Sequence, residues 1–367
     1  MIVTRIALRD FRNYERAEVE VGERLTVVHG PNGAGKTNLL EALYLGCTGR
    51  SCRTSNEREV VRFGCRVARV SVETEGDDGR HLIEVGIEPG EGRLLRVDGA
   101  AVERLAGVQA RPLVAVFIPD RLELVKGAPA ARRAHLDQLV AALWPSRADT
   151  RTAYARALAQ RNALLGRVRA GAGSPRLLDT WDAELARHGV TLMADRAAAL
   201  TLVSEPFARL AAELGLPEPA AVEYRPRSRA HDAGVLRAEL AERREGDLGR
   251  GFTDHGPHRD DVALLHAGRP LRAYGSQGQQ RLALLTLLFA EREVLLDQRG
   301  RAPLMLLDDV MSELDASRRA RLVELVRASG QAIVTATDCD HVPGAEHSGV
   351  ATVGVDSGEP ALEVAGR

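Results

Sequence analysis

Lysine is almost absent from this sequence, since only Lys36 and Lys126 occur among its 367 residues. The 50 basic residues are therefore nearly all arginine, and 51 acidic residues leave a formal net charge of −1. A chain that is basic over its whole surface would carry a large positive excess. This balance excludes such a surface, so any region that binds nucleic-acid phosphates must be local.

Cysteine and aromatic residues are also scarce. The cysteines form no C-x-x-C pair, which argues against a zinc site or a disulfide framework and predicts reduced thiols in a cytoplasmic protein. Aromatic residues make up 4% of the chain, too few for base stacking as the main mode of nucleic-acid binding. No apolar run approaches the roughly 18 residues of a membrane span, and residues 1–11 lack the layout of a signal peptide. We therefore expect no membrane partner. The four cysteines are Cys47, Cys52, Cys65 and Cys339.

One stretch carries a specific signal. Residues 30–37 read GPNGAGKT and fit the phosphate-loop pattern G-x-x-x-x-G-K-[ST]. The run at residues 25–29 predicts a buried parallel strand before it, and residues 38–47 predict the helix that follows. A glycine-rich turn with a surface lysine is the alternative, but lysine is so scarce that a chance match is rare. We therefore predict a loop that binds a nucleoside triphosphate.

The chemistry of phosphate binding explains these residue types. Glycines let the backbone wrap round a phosphate, and their N–H groups join the free donors at the helix start in an anion site. Lys36 is predicted to reach the β- and γ-phosphates and to serve catalysis, and the Thr37 hydroxyl to ligate Mg²⁺. The predicted nucleotide-binding residues are Gly30, Pro31, Asn32, Gly33, Ala34, Gly35, Lys36, Thr37 and Asn38.

A pair of acids completes the predicted nucleotide site. Residues 302–310 (APLMLLDDV) form an apolar strand that ends in two aspartates. A carboxylate at the carboxyl end of a parallel strand lies at the same edge of the sheet as the phosphate loop. We assign Asp308 to Mg²⁺ and Asp309, on the opposite side of the strand, to orientation and deprotonation of an attacking water. An acidic pair that merely starts a loop is the alternative.

A third stretch, residues 274–281 (YGSQGQQR), opens an apolar helix that runs to Phe289. Small and amide residues at a helix N-terminus again make an anion site. A second phosphate-type site in one chain makes sense if the helix of one subunit closes over the nucleotide that another subunit holds. The predicted signature residues are Ser276, Gln277, Gly278, Gln279 and Gln280.

The order of strand-like and helix-like patterns predicts an α/β protein in three segments. Residues 1–118 alternate strands with turns, and they form the first part of an ATPase lobe with an antiparallel sheet beside it. Residues 119–250 show helical spacings that predict an inserted, mainly helical lobe. Residues 251–367 return to the first lobe with the signature helix and the acidic strand. Within the insert we expect helices over 128–143, 147–170, 176–199 and 200–214.

Taken in order, the phosphate loop, SQGQQ, LLLDDVMSELD and the late strand at residues 332–338 resemble the ATP-binding-cassette (ABC) heads of DNA-maintenance proteins. The phrases LRDFRNY at 8–14, LVKG at 124–127 and GPHRDD at 256–261 narrow the resemblance to the RecF family of bacterial recombination mediators. The likeness runs over essentially the whole chain. It implies an ABC-type P-loop ATPase head with an antiparallel β subdomain and an inserted helical lobe.

The resemblance also implies a way of working. ATP and Mg²⁺ are expected to drive a head-to-tail homodimer on DNA, with Ser276 acting in trans on the γ-phosphate held by the partner. The expected setting is single-strand gaps and replication forks, on duplex or gapped DNA, alongside RecO and RecR and in support of RecA loading. Transporter-type cassettes usually have glutamate where Asp309 stands and a histidine after the last strand, where this chain reads TATD at residues 335–338. Both differences predict slow, switch-like hydrolysis.

For DNA, the best local candidate is the segment 146–176, which carries seven arginines and one aspartate. Leucines share the helical face with the predicted arginines, so arginine stems that cover apolar surface are the alternative. Binding to phosphates alone would be independent of base sequence and sensitive to salt. At 100° per residue, the arginines on one side of a helix are Arg147, Arg151, Arg161 and Arg169, which we call the arginine stripe.

Residues 254–261 (DHGPHRDD) combine histidines and acids as a metal site does. The Gly-Pro pair between the histidines prevents the helical spacing that zinc enzymes use. A loop near the nucleotide or at the junction of the lobes is therefore the preferred interpretation.

Two other functions share the nucleotide motifs. The ATPase subunit of a membrane transporter is disfavoured by the helical insert, by the strand-like start at residues 2–14 and by the SQGQQ wording. The head of a long coiled-coil chromosome protein is disfavoured because the insert has no sustained heptads and contains glycine and proline breaks.

Overall fold

The computed structural model of the chain describes residues 1–105, 107–216, 219–356 and 359–363. Its described residues form two units, of which the first holds Met1–Arg121, Glu213–Gly215 and the part from Leu295 onward, and the second holds the rest. The strands, numbered along the chain, are β1 Ile2–Phe11, β2 Tyr14–Glu20, β3 Leu25–His29, β4 Ala68–Gly76, β5 Gly79–Glu88, β6 Gly92–Val97, β7 Ala100–Ala101, β8 Val114–Phe117, β9 Ala220–Arg225, β10 Asp261–His266, β11 Arg269–Pro270, β12 Leu304–Leu307, β13 Ala332–Ala336, β14 Val350–Asp356 and β15 Glu359–Glu363. The α-helices are α1 Lys36–Thr48, α2 Glu123–Lys126, α3 Pro129–Leu143, α4 Ala148–Arg169, α5 Leu178–Glu213, α6 Ala233–Glu242, α7 Arg244–Arg250, α8 Leu271–Tyr274, α9 Gln277–Arg299 and α10 Ala316–Ala328.

A mostly parallel sheet of the first unit carries the phosphate loop. Its strand order is β15-β14-β3-β13-β12-β8, and every neighbouring pair is parallel except β14 with β15. The central strands β12 and β13 are buried along their whole length, which is typical of parallel sheets covered on both faces. Since the carboxyl ends of parallel strands share one edge, the residues that follow β3, β12 and β13 meet there.

The first unit also contains the antiparallel sheet expected from the sequence, in the order β2-β1-β4-β5-β6-β7. Helix α1 contacts β4 and β5 of this sheet and β8 and β13 of the parallel sheet, so that ten of its 13 residues are buried. At Gly46 the approach is so close that a Cβ would lie 2.3 Å from Val72 Cγ2. The absence of a side chain therefore lets α1 pack against β4 and fixes the helix that starts at the phosphate loop.

The second unit is mainly helical, as expected, and has a small sheet with the order β11-β10-β9. Helices α3 and α4 confirm the first two helices expected in the insert. The prediction of separate helices over 176–199 and 200–214 is wrong, because α5 is one helix of 36 residues. The buried residues Ala199, Leu200 and Val203 continue its apolar face across the expected break. No helix in the described part of the chain is long and apolar enough to cross a membrane.

The boundary between the two units differs from the domain boundary that was expected at residue 251. The segment 251–294 belongs to the second unit, and the first unit resumes at Leu295. The reason is strand pairing, since β10 pairs with β9 over six residues, from Asp261 opposite Arg225 to His266 opposite Ala220. The signature turn therefore belongs to the second unit, whereas the phosphate loop belongs to the first.

Candidate functional site

The phosphate loop joins β3 to α1. Gly30 has a φ of +146°, and a Cβ at this position would lie 2.1 Å from the carbonyl oxygen of Val355, so a side chain is excluded. Lys36 is 8% exposed, and its Nζ donates hydrogen bonds to the carbonyl oxygens of Gly30 (2.6 Å) and Pro31 (2.9 Å). The ammonium group of Lys36 is therefore bound to the backbone of the phosphate loop itself.

The turn between β1 and β2 supports the loop through two side chains. Asn13 Nδ2 donates to the carbonyl oxygen of Ala34 (3.0 Å), and the Tyr14 hydroxyl donates to that of Gly35 (2.9 Å). Asn38 Nδ2 in turn donates to Asn13 Oδ1 (2.7 Å). Burial raises the pKa of Tyr14, which keeps its hydroxyl protonated as a donor. Both supporting residues lie in the LRDFRNY stretch at residues 8–14, which the sequence analysis used only as part of the family resemblance.

A buried carboxylate ties the same turn to helix α1. Glu41 is completely buried, and Arg12 binds both of its oxygens, through Nε (2.9 Å) and Nη2 (2.7 Å). Ser51 Oγ also donates to this carboxylate, and Arg53 Nη1 lies 3.4 Å from it. A buried carboxylate left without such partners would be strongly destabilising. Glu41 therefore holds the hairpin and the start of α1 together, and sequence reasoning missed it.

Thr37 and Asp308, both predicted Mg²⁺ ligands, lie side by side. Thr37 Oγ1 donates to Oδ2 (2.8 Å) and Oδ1 (3.0 Å) of Asp308. Thr335 on β13 donates to Asp308 Oδ1 (2.8 Å) from the other side, and its hydroxyl accepts from the backbone N–H of Asp309 (2.8 Å). Thr335 was not predicted as a site residue. It begins the TATD segment at residues 335–338, the region in which transporter-type cassettes usually have a histidine.

Burial works against both charges of this site. It lowers the pKa of Lys36, and the nearby carboxylates of Asp309 and Asp308 oppose that effect. Burial also raises the pKa of Asp308, against the hydrogen bonds from Thr335 and Thr37. A polyanion would favour the charged form of Lys36, and a cation would favour that of Asp308. Since a hydroxyl and a carboxylate are oxygen ligands of the kind that Mg²⁺ prefers, the residues fit a magnesium-bound phosphate.

Asp309, the predicted catalytic base, is exposed and directly follows Asp308. Its φ of +47° lies in the left-handed region, which aspartate tolerates better than most residues. The bond from its N–H to Thr335 and the bond from Ser312 Oγ to its carbonyl oxygen (3.0 Å) hold this conformation. The structure thus brings Lys36, Thr37 and both aspartates to one site, and the catalytic role of Asp309 stays a prediction.

The signature residues form a capped helix start. Ser276 Oγ accepts from the N–H of Gln279 (3.2 Å), and Gln279 Oε1 accepts from the N–H of Ser276 (2.9 Å), which is a capping box. Gln280 is buried and donates to the carbonyl oxygens of Leu271 (3.0 Å) and Gly275 (3.1 Å). Ser276, Gln277 and Gly278 are exposed. The turn is therefore rigid, and its serine can still donate its proton to a ligand.

The prediction that Arg161 belongs to a DNA-binding arginine stripe is wrong. This side chain is completely buried, and it binds Asp182 through Nε (2.6 Å) and Asp247 through Nη1 (2.7 Å). A guanidinium that is removed from water needs such carboxylate partners. Arg161 therefore joins helices α4, α5 and α7 inside the second unit and is not available to DNA.

The other stripe residues are exposed, but two of them are already engaged. Arg147 Nη1 binds Asp195 (2.8 Å), and its guanidinium lies 4.6 Å from the ring centroid of Trp144. Arg169 Nη1 donates to a backbone carbonyl oxygen at 3.2 Å. Arg151 is exposed. The stripe therefore offers a weaker phosphate surface than the helical spacing predicted.

The DHGPHRDD stretch lies within the second unit, and its histidines serve hydrogen bonds. His255 Nε2 binds Glu239 Oε2 (2.6 Å). His258 Nε2 lies 3.0 Å from the carbonyl oxygen of Thr253, so it carries the proton, and Nδ1 accepts from the Tyr154 hydroxyl (2.7 Å). Burial lowers the pKa of His258 and favours this neutral form. Across the described ranges, no group of three or more His, Cys, Asp or Glu residues is arranged to hold a metal ion.

Comparison with known proteins now adds to this geometry. A family model described as the RecF/RecN/SMC N-terminal domain matches residues 2–358. The DNA replication and repair protein RecF of Streptomyces avermitilis is 39% identical over 361 residues, covering 94% of this chain and 95% of that protein. The protein of the same name from Anaeromyxobacter sp. (strain Fw109-5) is 40% identical over 346 residues, covering 91% of each chain. A solved structure of the recombination mediator protein RecF-ATP in the RecFOR pathway superposes with a TM-score of 0.87 at 27% identity, over 99% of this chain and 98% of that one.

Proposed function

Because the chain belongs to the RecF family, we propose that it is an ATP-dependent DNA-binding protein of recombinational DNA repair and replication. The observation that carries this proposal is the phosphate loop, whose Lys36 is held at Gly30 and whose Thr37 lies within 3.0 Å of Asp308. Relatives named as DNA replication and repair proteins match almost the whole chain. The similar solved structure is described as RecF-ATP.

The residues of the loop divide the binding of ATP among them. Backbone N–H groups of residues 33–37 would surround the phosphates at the start of α1. Lys36 would leave the carbonyl oxygens of Gly30 and Pro31 and bind the β- and γ-phosphates, whose charge offsets the burial that lowers its pKa. Thr37 and Asp308 would hold Mg²⁺, which neutralises phosphate charge when bound.

Hydrolysis is proposed to be slow and to act as a switch. Asp309 would orient the attacking water and accept its proton. It is an exposed aspartate, shorter than the glutamate of transporter-type cassettes, and its backbone is held by the bonds to Thr335 and from Ser312. We also propose that DNA stimulates this weak ATPase activity.

The signature turn is proposed to act in trans, on ATP that a second copy of the chain holds. Gly278 supports this proposal, because among the described residues outside its own helix turn and chain neighbours no atom lies within 4 Å of a Cβ built there. Alanine is a better helix former than glycine, so a helix that served only its own chain would gain nothing from glycine here. A partner that approaches the backbone closely would explain the glycine, and Ser276 beside it would donate to the γ-phosphate.

DNA and other repair proteins are the proposed partners. We propose that the ATP-bound homodimer binds duplex or gapped DNA at single-strand junctions in the cytoplasm, alongside proteins of the RecO and RecR type. The similar structure described within the RecFOR pathway supports this assignment. With few aromatic residues in the chain, the contacts would be made to the phosphate backbone and would weaken as salt rises.

Light scattering with ATP, with ADP and without nucleotide, each with and without DNA, tests this function. The protein should be a dimer with ATP and a monomer with ADP or without nucleotide. ATP hydrolysis, measured separately with and without DNA, should be faster when DNA is added. Lys36→Ala should stay monomeric in every condition, because it cannot bind the β- and γ-phosphates. A wild-type protein that stays monomeric with ATP and turns it over at a rate indifferent to DNA would contradict the proposal and favour an ATPase subunit of a transporter.

A further inference from the structure

A second row of arginines lies in the second unit, outside the predicted stripe. Residues 225–231 (RPRSRAH), here called the arginine ribbon, continue the chain beyond β9. Arg225, Arg227 and Arg229 are exposed, whereas Ser228 and Ala230 are buried. From Arg227 to Ala230, exposed arginines therefore alternate with buried small residues, whereas Pro226 is exposed.

The arginines of the ribbon are less engaged than those of the stripe. Arg225 lies 3.3 Å from Glu223, and no acidic residue occurs within the ribbon itself. Over the part of the chain that the structure describes, no hydrogen bond or ion pair occupies the guanidinium groups of Arg227 and Arg229. These two charges are therefore free to meet an anion from solution.

Asp260 of the GPHRDD motif holds the ribbon from beneath. Its side chain is completely buried, and its Oδ1 accepts from the backbone N–H of Arg227 (2.7 Å). Its Oδ2 accepts from the Tyr224 hydroxyl and from Arg196 Nη1 (3.2 Å). Arg196 is in turn paired with Asp137 through Nε (2.8 Å). The backbone of the ribbon is thus fixed to a buried ionic network.

The amino-terminal end of the DHGPHRDD stretch contacts Glu239, which in turn binds the ribbon. Ser228 Oγ donates to Glu239 Oε2 (2.6 Å), and it accepts from the N–H of Ala230 (3.0 Å). His255 Nε2 binds the same oxygen of Glu239 at 2.6 Å. Both halves of the DHGPHRDD stretch therefore position the ribbon, which gives this stretch a role that neither a metal site nor the nucleotide site supplies.

We propose that the arginine ribbon binds the phosphate backbone of duplex DNA, with Asp260 and Glu239 as its positioning residues. Arginine forks suit phosphate oxygens, and the ribbon has no aromatic side chain on which an unpaired base could stack. This inference rests on the proposed DNA-binding function and assigns it a surface.

Fluorescence anisotropy of a labelled duplex tests the ribbon, with the full-length protein, ATP and Mg²⁺, over a range of KCl concentrations. The variant is R227A/R229A. A matched control, R80A/R187A, removes two exposed arginines that are paired with Glu75 (3.2 Å) and Glu184 (2.8 Å) outside the ribbon. Each phosphate contact contributes about 0.9 to the slope of log affinity against log salt. R227A/R229A should therefore reduce the slope by about 2 per bound subunit and weaken binding by about 10-fold or more at 0.1 M salt, whereas the control leaves the slope unchanged.

A third variant separates charge from structure. R227K/R229K keeps both positive charges, so it should retain the slope while losing some affinity with the arginine fork. ATP-driven dimerisation of R227A/R229A should equal that of the wild type. If the wild type binds duplex and R227A/R229A shows an unchanged slope, only the DNA-binding role of the ribbon is overturned. The surface would then be interpreted as a binding site for an acidic protein. A wild type that binds no duplex with ATP would overturn the proposed function and the ribbon with it.

Discussion

Replacement of Thr335 by valine is expected to lower the free energy of unfolding by about 2–3 kcal/mol at pH 7. The Thr335 side chain is fully buried, and its hydroxyl donates to Asp308 Oδ1 and accepts from the N–H of Asp309, each at 2.8 Å. Valine keeps the shape of threonine but supplies neither bond. A hydrogen bond to a charged group contributes roughly 1.5–3 kcal/mol, and the N–H of Asp309 would lose its acceptor.

The pH dependence of this loss gives a sharper test. Burial raises the pKa of Asp308 from its ordinary value of 3.8, and the bond from Thr335 lowers it. Thr335→Val should therefore raise the pKa of the folded state further. A group whose pKa is raised by folding stabilises the protein fully below its unfolded pKa and loses that contribution as the pH rises through the folded pKa. The destabilisation by valine should accordingly be largest at pH 7 and shrink as the pH falls toward 4.

Urea unfolding at pH 7 and at pH 4 measures both quantities. Thr335→Ser is the control, because it keeps the hydroxyl and should lose only about 0.8 kcal/mol for the missing methyl group. In the valine variant, a loss below about 0.5 kcal/mol at pH 7 would show that Thr335 does not support Asp308. An equal loss at both pH values would refute the electrostatic part of the reasoning.

Two further predictions concern the chemistry and the dimer. Asp309→Asn should lower single-turnover ATP hydrolysis by about 100-fold or more, since it removes a general base, and should trap the ATP-bound dimer in sedimentation; normal turnover would show that another group is the base. Ser276→Ala should keep ATP affinity in the monomer yet weaken ATP-driven dimerisation, and Ser276→Asn, which preserves a helix cap, should weaken it as well. Reduced nucleotide affinity in the Ser276→Ala monomer would contradict the role in trans, and normal dimerisation of Ser276→Asn would reduce the serine to a cap.

That Lys36, Thr37 and the two aspartates lie together could be predicted because the signals are local. The loop at residues 30–37 depends on glycines and one lysine at fixed spacing, and the two aspartates directly follow an apolar strand. Thr335 could not be found in this way. It reaches Asp308 only because β13 lies between β3 and β12 in the sheet, an order that no local pattern contains. The supporting roles of Asn13 and Tyr14 depend in the same way on a hairpin that folds back over the loop.

The mistaken arginine stripe has the same origin. A helical projection of α4 shows which side chains share a face, but the partner of that face decides whether it meets water. Arg161 was indistinguishable from Arg151 in the projection, and it is buried because α5 and α7 supply Asp182 and Asp247. The boundary at residue 251 failed similarly, since the pairing of β10 with β9 joins segments that lie more than 35 residues apart.

Buried charge is costly in both units, and its placement is informative. A buried ionic group stabilises a fold little compared with apolar residues of the same volume. The carboxylate of Asp308 nevertheless accepts hydrogen bonds from two side-chain hydroxyls beside the phosphate loop, and that of Asp260 holds the backbone of Arg227 together with Tyr224 and Arg196. In the first case the proposed ligand of the positioned groups is a nucleotide. The second network is similar, and the groups that it positions are exposed arginines. Binding of a polyanion by these arginines would explain why the protein keeps a network that contributes little to stability.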